Sequence, residues 1–108
     1  MPTSARFIVL WDTPTNPEEF ERHYREVHVP LARKLPGLRR YTLSRNVAPI
    51  RGGDPYHLIA ELDFDDLASL QRAFRSAEGQ ATADDVAHLA AHARVRSMVY
   101  ELEDVHQG

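Results

Sequence analysis

His28 and Tyr41 are the two side chains in this sequence best suited to moving a proton on a small molecule. Imidazole titrates closest to neutral pH, and a phenol donates a hydrogen bond to an oxygen on which charge develops. They lie in Glu26-Val27-His28-Val29-Pro30-Leu31 and Pro36-Gly37-Leu38-Arg39-Arg40-Tyr41, so the histidine falls near the end of an expected helix and the tyrosine early in the strand that follows. If both face one cavity, they supply a general acid/base and a hydrogen-bond partner for a carbonyl-containing compound. Each also has a structural reading. His28 beside Pro30 is placed to satisfy carbonyls that the proline frees, and Tyr41 is an ordinary strand aromatic.

Three more residues are substrate-binding candidates. Trp11 closes an apolar strand and can wall a cavity against a flat or apolar ligand, or simply pack the core. His57 and Glu61 share one face of a strand by alternation, where the carboxylate can orient the imidazole or form an ion pair across an interface. His88 and His92 stand four apart on a helix with Asp84 and Asp85 one turn earlier, a spacing that lets two imidazoles reach a metal. No third neutral ligand is implied, so a solvated helix surface is expected and no metal. Gly52-Gly53 lacks the following helix and the lysine of a phosphate loop, and no nucleotide cofactor, nor any other, is expected.

The elements that must position these residues are legible in turn. Arg6–Trp11 is apolar on both alternating faces, as a strand buried on two sides is. Asn16-Pro17-Glu18-Glu19 starts a helix with Asn16 as cap and Pro17 at the first position. Its apolar stripe is Phe20, Tyr24, Val27, Leu31 and Leu35, which assigns Tyr24 to the core, and Pro30 predicts a kink near His28 and Val29. Leu38–Val47 is a second strand, and Ala48–Pro55 a connecting loop. Tyr56–Phe64 alternates cleanly as a third strand, with Leu58, Ala60, Leu62 and Phe64 on one face. Asp65 or Asp66 caps a helix with the stripe Leu67, Leu70 and Phe74. That helix breaks at Glu78-Gly79, and Thr82-Ala83-Asp84-Asp85 opens another, before Val95–Glu103 makes the fourth strand.

The order β-α-β-β-α-β is the ferredoxin-like arrangement, an α+β fold with both helices on one face of a four-stranded antiparallel sheet. All 108 residues make one domain. The second sheet face carries apolar side chains, including Met98, Tyr100 and Leu102, and a homodimer that closes two such faces together is expected. Lys and Arg total 13 against 16 Asp and Glu, a net charge of -3 that offers no footprint for nucleic acid or anionic lipid. No apolar run approaches membrane length and no signal stretch follows Met1-Pro2-Thr3-Ser4-Ala5-Arg6, so a cytoplasmic protein without membrane partners is expected. The chain has no cysteine, which removes thiolate nucleophiles and disulfides.

Three segments carry a resemblance to the EthD-like family: His-Tyr-Arg-Glu-Val-His-Val-Pro-Leu at 23–31, Pro-Gly-Leu-Arg-Arg-Tyr at 36–41 and Glu-Gly-Gln-Ala-Thr-Ala-Asp-Asp-Val at 78–86. The resemblance covers nearly the whole chain and implies a dimeric α+β barrel with a pocket between sheet and helices. Its superfamily also holds muconolactone-type isomerases, polyketide cyclases and cofactor-independent monooxygenases. Methylmuconolactone isomerases use a histidine and a tyrosine at places similar to His28 and Tyr41, together with a cysteine that this chain lacks. Two function classes follow. One is a cofactor-free isomerase, cyclase or monooxygenase acting in catabolism on a small carbonyl, aromatic or polyketide-type compound. The other is a non-catalytic metabolite-binding or stress-response dimer.

Overall fold

β1 (Ala5–Trp11) lies inside the sheet, hydrogen-bonded to a strand on each side, with Ala5, Phe7, Val9 and Trp11 on one face and Arg6, Ile8 and Leu10 on the other. In this computed structural model, residues 3–106 and 108 are described; Met1 and Pro2 of the N-terminal stretch lie outside them. The sheet is completed by β2 (Leu38–Leu43), β3 (Leu58–Phe64) and β4 (Val95–Glu101) in the order β2-β3-β1-β4, all pairs antiparallel. This is the ferredoxin-like order. Directly opposed pairs Ala5/Phe64, Phe7/Leu62, Val9/Ala60 and Trp11/Leu58 set one apolar face toward the helices, and Tyr41 joins it opposite Leu62.

The helical layer begins with α1 (Pro17–His23), whose cap Asn16 accepts from the Glu19 N–H at 3.3 Å. The Glu19 carboxylate turns outward to Arg22, so only half of the expected capping box forms. A π-helical turn, Tyr24–His28, follows and leads into α2 (Val29–Ala32). The Val29 N–H reaches back to the Tyr24 carbonyl, one residue further than an α-helix allows. Pro30 supplies the reason: mid-helix its ring would crowd a carbonyl one turn back, whereas here it occupies the first turn of a restarted helix. The extra residue corrects the expected stripe. Tyr24 and His28 point inward, at 1% and 5% exposure, and Val27 is turned out to 41%.

Asp66 caps α3 (Leu67–Arg75), accepting from Ser69 N–H at 2.7 Å. α4 (Ala77–Ala90) starts five residues earlier than the Thr82 opening expected, because Ser76 ends one helix and caps the next through Gly79 N–H. Gly79 therefore sits inside α4 rather than breaking it. β2 also stops short of Val47: Ser44 closes its pairing against Ile59, and Asn46 adopts φ 54°, which turns the chain away. β4 ends at Glu101 rather than Glu103. Trp11, Tyr24, Phe64, Leu70 and Leu89 are the largest fully buried side chains, and burying each such side chain is worth about 1.5–3 kcal/mol.

Among the described residues, no layer covers the opposite sheet face. Arg6 binds both oxygens of Asp63 at 2.7 and 3.0 Å and reaches Glu61 at 3.3 Å. Met98 and Tyr100 beside it are 49% and 38% exposed. Among the described residues, no helix is long and apolar enough to cross a membrane.

Candidate functional site

A cavity of about 330 Å³ lies between the helix-side face of the sheet and the helices. That is near the lower end of the range for small-molecule sites. Val9, Trp11, Ala60 and Leu62 form its strand side, and Tyr24, His28 and Ala32 enter from the π-helical turn and α2. Gly79, Thr82 and Val86 of α4 and Ser97 of β4 complete it. Most of the wall is apolar, so its few polar atoms decide what chemistry it can host.

His28 presents one of them. Its Nδ1 lies 2.8 Å from Oδ2 of Asp85, on α4, while Oδ1 of the same carboxylate lies 2.7 Å from Nε2 of His23. A carboxylate only accepts, so each ring gives an N–H to it. The His28 tautomer is thereby set, with Nδ1 protonated and the Nε2 lone pair without a hydrogen-bond partner among the described residues. Burial pushes the His28 pKa below its ordinary 6.5, Asp85 pulls it back up in part, and His23 presses it down. The imidazole is neutral at neutral pH.

The second polar group is a pair of phenols. Tyr24 Oη and Tyr41 Oη are 2.8 Å apart, and the Tyr24 ring packs on the His28 ring with centroids 4.9 Å apart. Burial raises both phenol pKa values, so both stay protonated and able to donate. Tyr24 thus links the two candidate residues. Trp11 adds a buried indole N–H with no acceptor among the described residues, its ring set edgewise against Phe20 and Tyr24.

Of the sequence-derived candidates, His28, Tyr41 and Trp11 line this cavity. His57 and Glu61 do not, and the expectation that they share a face is corrected. His57 precedes β3, outside its alternation, and its side chain bonds Glu21 of α1 at 3.0 Å with its ring on Phe20. Glu61 stands on the open face beside Arg6. His88 packs between His23 and His92, with centroid separations of 4.6 and 6.0 Å. A larger open groove of about 880 Å³, beside the Gly52-Gly53 loop, contains neither His28 nor either tyrosine of the pair.

Sequence reasoning missed Asp85 and assigned Tyr24 to the core alone. Asp85 had a signal: it lies four residues before the buried Leu89, on the inward stripe of α4, where a carboxylate needs a partner. Starting the helix at Thr82 hid it, because Asp85 then passed for a first-turn acid.

The layers and strand order define a ferredoxin-like α+β domain with a cavity between sheet and helices. The EthD domain model matches residues 12–93, a span that contains Tyr24, His28, Tyr41 and Asp85, and the chain belongs to this family. An uncharacterised 11.0 kDa protein from the thcB–thcC intergenic region of Rhodococcus erythropolis is 34% identical over 86 residues, covering 79% of this chain and 82% of that protein. An ethyl tert-butyl ether D (EthD) family protein from Bacillus halodurans is 33% identical with a TM-score of 0.80, covering 93% of this chain and 99% of the other. SnoaB, a cofactor-independent oxygenase from Streptomyces nogalater, is 20% identical with a TM-score of 0.67, covering 95% and 96%. At that identity the likeness to SnoaB shows the fold alone.

Proposed function

We propose that the protein is a small-molecule enzyme catalysing cofactor-independent proton-transfer chemistry (isomerisation, cyclisation or oxygenation) on a small carbonyl or aromatic compound in catabolism. One observation carries this reading: His28 is held by Asp85 as the neutral Nδ1–H tautomer, with Nε2 free, in an apolar cavity that Tyr41 also lines. Nε2 accepts a proton from the substrate, and the imidazolium that forms is stabilised by the carboxylate already bonded to its other nitrogen. Tyr24, the more buried phenol, donates to Tyr41. The Tyr41 O–H is then left for the substrate oxygen on which charge develops, and with water excluded such a donor counts for more than in solution. Trp11 shapes the apolar wall. The kinship to a cofactor-independent oxygenase in fold is consistent with this class.

The working form is a homodimer in which the open sheet face, with Met98, Tyr100 and the Arg6–Asp63 pair, meets its copy. Sedimentation at micromolar concentration tests it, and a monomer there refutes the dimer. The chemistry is tested by soaking candidate compounds, solving a ligand-bound structure and assaying turnover of that compound by His28→Ala and Tyr41→Phe. The expected loss is roughly a hundredfold or more for His28→Ala. Wild-type turnover in both variants would sink the scheme.

A further inference from the structure

The Asp85 carboxylate is shared. His28 holds Oδ2 from the cavity side, and His23 holds Oδ1 from the far side, where its side chain is a quarter exposed and lines an outer cleft with Glu19, His88 and His92. One carboxylate neutralises one imidazolium. A second positive charge bracketing the same group would be uncompensated in a partly desolvated site.

We infer that His23, Asp85 and His28 form a single-proton unit in which a proton accepted by His28 expels one from His23 to solvent, making His23 a positioning and proton-release residue. The inference rests on the acid/base reading of His28 and names the route by which the substrate's proton leaves. The steps balance without any hydrogen bond breaking. When the extra proton is on His23, the more exposed ring, its Nε2–H stays on Asp85 and its Nδ1 carries the second N–H. A substrate proton arrives at His28 Nε2, and His28 becomes an imidazolium with Nδ1–H still on Oδ2. Repulsion between the two rings then sends the His23 Nδ1 proton to water, leaving His23 neutral with Nε2–H still on Oδ1. Charge on the unit is the same before and after.

The groups facing His23 are consistent with release outward. From α4 these are Asp85 and the neighbouring His88, beyond which lies His92; from α1, Glu19, whose carboxylate is bound to Arg22; and from the π-helical turn, His28. The exposed His88 ring lies tilted against that of His23 with centroids 4.6 Å apart, and both line the outer cleft. Burial of His28 disfavours charge on that ring.

The test is a pH titration of the ligand-free protein followed by ¹⁵N imidazole NMR, on wild type and His23→Gln. Glutamine keeps an N–H for Asp85 but carries no charge. In wild type, His28 keeps its neutral Nδ1–H signature while the unit takes up its first proton. In His23→Gln the titration midpoint of His28 rises by roughly half a pH unit or more, since the competing charge is gone. His28 charging first in wild type overturns the inference, as does an unchanged His28 midpoint in the variant. Because no ligand is present, failure here is separable from failure of the proposed chemistry, which is read in the turnover of His28→Ala. A purely structural His23 would not move the His28 midpoint.

Discussion

Gly79→Ala exposes the tension between local preference and packing at the α3–α4 junction. Alanine improves helix propensity over glycine by about 1 kcal/mol in a helix interior, so on local grounds the change should stabilise α4. A Cβ built at Gly79, however, would lie 2.2 Å from the Ala73 carbonyl oxygen and 2.6 Å from that of Phe74. Both are backbone atoms at the end of α3, and they cannot rotate aside as a side-chain tip would. Reaching ordinary contact requires the two helices to part by about 1 Å, and overpacking of this kind costs about 1–3 kcal/mol, sometimes more. With only part of the propensity gain realised in the first turn, the net expectation is a loss of about 2 kcal/mol, or a melting temperature lower by about 8–16 °C. Thermal unfolding followed by circular dichroism measures it. Gly79 and Phe74 also line the cavity, so ligand affinity should weaken alongside stability. Gly52→Ala is the control, since a Cβ there meets nothing and only a positive φ of 70° opposes it; its loss should be smaller, about 1 kcal/mol. If Gly79→Ala is neutral or stabilising, the close approach of the two helices is wrong.

Asp85→Asn offers one acceptor and one donor where both imidazoles need acceptors, so either His28 or His23 must invert its tautomer and about 1–3 kcal/mol of stability should be lost; two unchanged ¹⁵N signatures with unaltered urea unfolding would refute the bracketed carboxylate. Tyr41→Phe should destabilise more than Tyr24→Phe, because it strands the buried Tyr24 hydroxyl without a partner, and the double variant should cost less than the sum, as a double-mutant cycle in urea would measure. Stability should also depend on the buried His28. Its folded-state pKa lies below the ordinary 6.5, so between those values the unfolded chain binds more protons than the fold. His28 therefore favours unfolding as pH falls through this window and is without effect above it; urea midpoints that do not fall below about pH 6.5 would contradict its burial as a neutral ring.

Much of the fold was readable because its signals are local. Asn16 and Asp66 cap as their types require, and Leu58–Phe64 alternates as a strand with one covered face must. The same locality explains the failures. Ser76 ends one helix and begins the next with a single side chain, which no pattern of apolar residues announces. His57 obeys alternation on paper but precedes the first strand pair, so its direction is set by Glu21 on another element. His28, Tyr41 and Trp11 were legible as residues that line one cavity. What joins them was not: Asp85 comes from a helix far along the chain, and His28 turns inward beside Tyr24 only through a π-helical turn that an α-helical count skips.

That turn means the cavity's histidine is aimed by a count of residues rather than by a contact. Pro30 is exposed and is not among the residues lining the cavity, yet its missing N–H makes the underwound path acceptable and the regular one unfavourable. It behaves as a pawl on a ratchet, holding the helix one notch from where hydrogen bonding alone would settle it. A surface position thereby sets which way a buried imidazole points, and substitutions at Pro30 are expected to redirect His28 without touching its surroundings.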